Sequence, residues 1–189
     1  MFRLTIKSPS GIAVAKFSQA LVIIVAILVM ARLSGENLQS LYLCKGRLLF
    51  GAVVGLTGAA LGALLALQQP AVRSLGTAKL VSLAPWVLLF VVSNALMEEL
   101  LFRGLFLKRY EPLLGRWLAV LSTALAFTLA HMQVKYAPDL MAFMVVLFAL
   151  STAWGWLMQK TGGLWGSTVF HAGADLLIIL PLFKTLGAA

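Results

Sequence analysis

Long apolar segments separated by short polar connections run along almost the whole chain. A helix that crosses a lipid bilayer needs about 20 mostly apolar residues. The pattern predicts six such helices, at Phe17–Ala31, Leu48–Leu67, Ala84–Phe106, Leu113–Met132, Leu140–Met158 and Leu164–Phe183. We therefore predict an all-α protein, a polytopic transmembrane helical bundle of about six spans.

The connections between the apolar segments leave no room for a separate soluble domain. The connection Gln68–Lys79 contains proline and glycine, which interrupt helices, and Thr161–Gly163 is short enough to make the last two segments an antiparallel hairpin. We predict a single membrane domain over residues 1–189. In it, residues 17–79 form the N-terminal spans and a linker, and residues 84–183 form the helices that carry the candidate chemistry.

The first apolar segment has the layout of a signal peptide as well as that of a membrane anchor. Arg3, Lys7 and Lys16 precede it, as basic residues precede the core of a signal peptide. No convincing small-x-small cleavage site follows, so we expect the segment to remain in the protein as an anchor.

The composition places the chain in a membrane. Apolar residues make up 61% of it and charged residues 11%, against roughly 45–50% and 25% in soluble domains. The formal net charge is +9, but the lysines and arginines fall almost entirely between the apolar segments, where they meet lipid headgroups. We therefore expect this charge to face a lipid bilayer and no nucleic acid. The basic residues divide almost equally between alternate connections, so the orientation stays open.

The ionisable residues inside the apolar segments are the strongest signal in the sequence. Three of the six carboxylates, Glu98, Glu99 and Asp175, and both histidines, His131 and His171, lie within predicted spans. Such groups cost roughly 2.5–3.5 kcal/mol each in the middle of a span and usually mark function. Because they stand on three different spans, they can meet only if all of them face the interior of the bundle.

Helical spacing predicts different roles for the two adjacent glutamates. Glu99 and Arg103 are one turn apart and share a face, so the arginine can neutralise this carboxylate. Glu98 points about 100° away, with Asn94 one turn before it, and has no charge partner in its own helix. This arrangement predicts that Glu98 is a general base. The alternative is that both glutamates only hold helices together.

The two histidines complete a set of groups that could hydrolyse a bond. His171 and Asp175 are one turn apart, while His131 lies near the end of its span. Two carboxylates and two imidazoles can activate a water and stabilise the oxyanion of a tetrahedral intermediate. No serine or cysteine has a partner at readable spacing, so a covalent nucleophile is not favoured. A bis-histidine haem site would use His131 and His171 but would leave the glutamates unexplained.

A metal site is possible but incomplete in the sequence. Cys44 is the only cysteine and the HExxH zinc motif is absent. Zn²⁺ at a site formed by Glu98, His131 and His171 is the alternative to our expectation of no cofactor.

The depth of these residues predicts a further feature of the fourth helix. Glu98 lies near the middle of its span, His131 near the end of the next, and His171 about two turns into the last. For one site to form, we expect the fourth helix to continue past His131, to about Lys135, or to be displaced along the membrane normal.

Three short motifs in order along the chain resemble those of the CPBP family of intramembrane proteases. The family includes CAAX-processing, Ras-converting-enzyme-type proteases and bacteriocin-processing or immunity relatives of the Abi type. Its pattern is EExxxR, FxxxH and HxxxN or HxxxD on three helices. The motifs here begin at Glu98, Phe127 and His171, and the resemblance covers about Ala84–Leu182.

The resemblance implies roles for the residues of these motifs. Glu98 and His131 would activate the attacking water, and His171 and Asp175 would stabilise the oxyanion or position water. Glu99 and the arginine of the first motif would hold the site together. The family has been described both as metal-dependent and as a glutamate-type protease, and we expect the second. Asp175 stands where many members have asparagine.

The activity implied is that of an intramembrane endopeptidase acting on a membrane-associated protein or peptide. The chain is short for a eukaryotic prenyl-protein enzyme, so a CAAX substrate is not implied. Small bacterial members of the myxosortase type are more similar, which suggests a multi-pass protein of the bacterial inner (cell) membrane. The alternative is a non-catalytic immunity protein or a protein that binds a membrane partner.

Overall fold

The computed structural model describes residues 8–134 and 136–187, and these are helical over most of their length, without a strand. The prediction of an all-α bundle is confirmed. The helices are α1 (Pro9–Leu33), α2 (Leu48–Gln68), the short α3 (Pro70–Arg73), α4 (Gly76–Glu99), α5 (Lys108–Ala130), α6 (Leu140–Thr161) and α7 (Trp165–Gly187). A π-helical segment, Leu100–Leu107, joins α4 to α5 without interrupting the helical run, and a 3₁₀ turn, Leu38–Leu41, precedes α2.

Among the described residues, five helical runs are long and apolar enough to cross a membrane. One of them, Gly76–Ala130, has 55 residues and would measure about 80 Å if it were straight. It reverses at Gly115, where the backbone has φ 76° and ψ 168°, a conformation that favours glycine. The aromatic rings of Phe102 and Phe127, on opposite sides of this reversal, lie 5.1 Å apart. The run therefore forms two antiparallel legs, in agreement with about six spans.

The region predicted as a linker is largely helical. Pro70 begins α3, where its missing N–H group costs no hydrogen bond. Gly76, with a φ of 70°, begins α4 eight residues before the predicted start at Ala84. The proline and glycine thus start new helices after short turns, and the third span is longer than its hydropathy indicates.

Small residues bring α2 and α7 into backbone contact. A methyl group added to Gly55 would lie 2.6 Å from the carbonyl oxygen of Gly166, and one added to Gly62 would collide with the backbone of Gly173. Close approach through glycine is the usual way for membrane helices to gain packing contacts. It holds α7, which carries His171 and Asp175, firmly against the N-terminal half of the chain.

Helix α4 lies between α1 and α7, while α6 packs against both α5 and α7. The α5–α6 pair is fixed at one end by reciprocal hydrogen bonds between Arg116 and Gln159. The three motifs consequently face one another across the part of the bundle where α4, α5, α6 and α7 meet.

Candidate active site

The Glu99–Arg103 pair forms the buried base of the site. Nη1 of Arg103 lies 3.0 Å from Oε1 of Glu99, and both side chains are fully buried, as the one-turn spacing predicts. The other end of the guanidinium donates to the backbone carbonyl and the hydroxyl of Ser151 on α6. The guanidinium also lies 4.8 Å from the centre of the Phe127 ring on α5. Arg103 thereby joins three helices.

His171 stands between the two glutamates. Its Nδ1 lies 2.9 Å from Oε1 of Glu99, and its Nε2 lies 3.5 Å from Oε2 of Glu98 and 3.6 Å from Oδ1 of Asp175. Since Glu99 is paired with an arginine and acts as an acceptor, Nδ1 carries the proton of this bond. Trp154 stacks on the imidazole at 3.9 Å with an angle of 9° between the planes. The ring is therefore fixed in orientation, with Nδ1 protonated.

An asparagine connects the two remaining carboxylates. Nδ2 of Asn94 donates to Oε2 of Glu98 at 3.2 Å and to Oδ2 of Asp175 at 3.0 Å. The two acids come from α4 and α7, and their side chains are 13% and 12% exposed. Asn94 thus holds together two carboxylates that would otherwise repel each other.

His131 approaches the site from the end of α5. Its Nδ1 lies 2.8 Å from the carbonyl oxygen of Phe127, so this nitrogen donates and Nε2 retains its lone pair. The Phe127 ring lies 4.6 Å from the His131 ring and 5.7 Å from the His171 ring, measured between centres. Phe127 therefore separates the two imidazoles and leaves each on its own side of the site.

The predicted continuation of the fourth helix is wrong where the structure describes it. Helix α5 ends at Ala130, and residues 131–133 form a turn; Lys135 lies outside the described residues. Instead, the reversal at Gly115 places Glu98 of the first motif and His131 of the second at the same depth in the bundle. Glu98 lies 17 residues before this glycine and His131 lies 16 residues after it, so both are about 25 Å of helix from the turn.

Four of the six predicted site residues line one cavity of about 840 Å³. These four are Glu98, His131, His171 and Asp175, and Asn94 lines the cavity with them. Glu99 and Arg103 do not line it and lie behind His171. The remaining wall is mainly apolar and includes Phe143, Leu147, Leu150, Leu177 and Ile178. A mostly apolar cavity with a few converging polar groups is the usual form of a binding site.

The zinc alternative requires Glu98, His131 and His171 to be ligands of one ion. In the part of the chain that the structure describes, no group of three or more His, Cys, Asp and Glu side chains is suited to a metal ion. Asn94 donates to Oε2 of Glu98 and Oδ2 of Asp175, and Glu99 accepts from Nδ1 of His171, which leaves Nε2 of His171 facing the cavity. The expectation of no cofactor stays a prediction.

Sequence reasoning did not select several residues that the structure brings to the site. Asn94 was noted only as a neighbour of Glu98, although its polarity within an apolar span was a usable signal. Ser151 and Trp154 have no such signal, because a serine and a tryptophan are common in membrane helices. Tyr136, in the α5–α6 connection, also lines the cavity. Burial, with Asp175 and Glu98 nearby, raises the pKa of Tyr136 to about 12.

A family model described as "Rce1-like: Type II CAAX prenyl endopeptidase Rce1-like" matches residues 80–177. This range is more than half of the chain and contains all six predicted site residues. No curated protein and no solved structure matches.

Proposed function

The chain belongs to the Rce1-like family of type II CAAX prenyl endopeptidases, and from this we propose that it is an intramembrane endopeptidase whose water is activated by glutamate and histidine. Its substrate is a membrane-associated protein or peptide. It is located in the bacterial inner membrane, and its function is similar to that of small members of the myxosortase type. The observation that carries the proposal is that Glu98, His131, His171 and Asp175 all line one cavity.

Glu98 and His131 prepare the water in this mechanism. Nε2 of His131 has a free lone pair, since Nδ1 donates to the Phe127 carbonyl, and accepts a hydrogen bond from the water. Glu98 takes a proton from the water as its oxygen attacks the carbonyl carbon of the scissile bond. When the C–N bond breaks, Glu98 returns that proton to the leaving amine.

His171 and Asp175 stabilise the negative charge that forms on the oxygen of the attacked carbonyl. In its doubly protonated form, whose charge the surrounding carboxylates offset, His171 donates from Nε2 toward the cavity. Asp175 acts through its size and polarity, because Asn94 donates to one of its oxygens and the other faces the imidazole. Glu99 and Arg103 do not touch substrate; they hold His171 in position.

The test is cleavage of tagged membrane peptides by protein reconstituted in lipid vesicles, with the products identified by mass spectrometry. Glu98→Gln keeps the shape and the hydrogen-bond acceptor but removes the base, and we expect it to abolish cleavage at near-normal stability. Glu36→Gln is the matched control, since that carboxylate is exposed and pairs only loosely with Arg109 at 3.8 Å. Ordinary activity in the Glu98→Gln variant would refute the mechanism.

A further inference from the structure

Gln69, in the turn between α2 and α3, lies in the wall of the cavity. It is outside the range that the family model matches, and the proposed mechanism does not use it. Beyond Asp175, α7 contributes mostly apolar residues to the same cavity, among them Leu177, Ile178 and Leu182. Gln69 is therefore a polar side chain beside an apolar stretch of the wall.

A proline in α7 explains how the side chain of Gln69 is held. In a regular helix the carbonyl of Leu177 would accept a hydrogen bond from the N–H group of residue 181. That residue is Pro181, which has no N–H group. Nε2 of Gln69 donates to the freed carbonyl at 3.0 Å. The glutamine thus supplies the donor that the proline lacks.

The same bond decides which way the amide of Gln69 points. A carbonyl oxygen only accepts hydrogen bonds, so the amide atom that faces Leu177 is the nitrogen, and Oε1 is the atom turned away from it. Among the described residues, no donor forms a hydrogen bond with this Oε1. The side chain therefore offers the cavity an acceptor whose position is fixed.

The distance from the site to Gln69 can be read along α7. Leu177 lies two residues past Asp175, and its carbonyl points toward Pro181, six residues past Asp175. The amide of Gln69 therefore lies about 3–9 Å beyond Asp175 along the helix axis. An extended peptide covers about 3.3–3.6 Å per residue, so the amide is about one to three residues from a carbonyl held at Asp175.

We propose that Oε1 of Gln69 accepts a hydrogen bond from a backbone N–H group of the substrate, about one to three residues from the attacked carbonyl. The inference rests on the proposed peptidase function and adds a binding residue to it. In a helix, every N–H group after the first turn is already paired with a carbonyl of that helix. Gln69 therefore binds substrate only where its chain is extended, and it favours an unwound segment over an intact membrane helix.

The experiment removes single N–H groups from a peptide and measures binding. A fluorescent apolar peptide is bound to the Glu98→Gln protein, which does not need to hydrolyse it, and its amide linkages are replaced one at a time by esters. An ester keeps the carbonyl and the length of the chain but has no N–H group. At the position that faces Gln69, the ester should weaken binding about three- to tenfold, as the loss of one neutral hydrogen bond does.

Variants in the same Glu98→Gln background assign this effect to one side chain. Gln69→Met keeps the length of the side chain without its acceptor, so the ester at that position should no longer weaken binding. Gln68→Met is the matched control, because the neighbouring glutamine is exposed and does not line the cavity; it should keep the full ester profile. Cleavage by chains that retain Glu98 should show the effect of Gln69→Met mainly in KM, with little change in kcat.

A third variant separates substrate binding from support of α7. Pro181→Ala returns an N–H group to the carbonyl of Leu177, so the helix no longer needs the glutamine. In this background Gln69→Met should still abolish the ester effect, because the substrate has lost its acceptor. Return of the ester effect there would overturn the proposal and assign Gln69 to holding α7 alone.

Two further outcomes would also overturn the proposal. In one, no ester weakens binding to the Glu98→Gln parent. In the other, Gln69→Met has the same ester profile as that parent. A protein that binds by the expected pattern but cleaves nothing would contradict the peptidase function and leave the role of Gln69 in binding supported.

Discussion

Replacing Arg103 by methionine would leave Glu99 as a buried carboxylate without its cation. Both side chains are fully buried, with Nη1 3.0 Å from Oε1. Removing one partner of a buried ion pair costs about 3–5 kcal/mol, and this change also removes the bonds to Ser151 and the contact with Phe127. We expect a loss near 5 kcal/mol, which for a chain of this length lowers the melting midpoint by roughly 10–20 °C.

A second variant separates the stranded charge from the lost packing. Glu99→Gln combined with Arg103→Met removes the charge, while the amide oxygen can still accept from Nδ1 of His171. We expect the double variant to regain more than half of the lost stability. Arg109→Met is the control, because that arginine is 42% exposed and lies 3.8 Å from Glu36. Such an exposed pair contributes only about 0–1 kcal/mol.

The measurement is thermal unfolding of the four purified proteins in one detergent, followed by tryptophan fluorescence. Trp154, one of five tryptophans in the chain, stacks on His171, so part of the emission reports on the site. A double variant no more stable than Arg103→Met would show that the buried charge is not the source of the loss. The reasoning about the base of the site would then be wrong.

Four further predictions follow from the same contacts. Asp175→Asn should keep a substantial part of the cleavage rate and Asp175→Leu should lose nearly all of it; an asparagine variant as inactive as leucine would mean that the charge is required. Asn94→Asp should abolish activity by placing three acids together, and adding Asp175→Asn should restore part of it, measured per amount of folded protein. Activity should survive thorough chelation, whereas stoichiometric zinc whose removal stops cleavage, found by elemental analysis, would favour a metal mechanism. Because the pKa of Tyr136 is about 12, Tyr136→Phe should leave the alkaline side of the pH–rate profile unchanged up to about pH 10.

Local geometry explains which parts of the site the sequence could predict. The pairing of Glu99 with Arg103 and the shared face of His171 and Asp175 both follow from one-turn spacing on a helix. The meeting of the motifs follows from the cost of charges in lipid. Each of these arguments needs only one helix or one apolar segment at a time.

The parts that could not be predicted depend on contacts between helices distant in sequence. On α6, Ser151 accepts hydrogen bonds from Arg103 and Trp154 stacks on His171. Neither residue type is unusual in a membrane-spanning helix. The bridging role of Asn94 depends on the position of Asp175, 81 residues away. The helical start at Gly76 was missed for another reason, since hydropathy reports the apolar part of a helix and not its polar first turns.

The reversal at Gly115 restricts where related sequences can differ in length. Residues inserted in equal number before and after the turn would move it outward and leave Glu98 opposite His131. One residue added to a single leg would shift its motif by about 1.5 Å and rotate it by about 100°, which would turn the side chain away from the cavity. Insertions and deletions between the first two motifs should therefore occur in matched pairs across the turn, and an unmatched one should coincide with a bulge that absorbs it or with loss of activity.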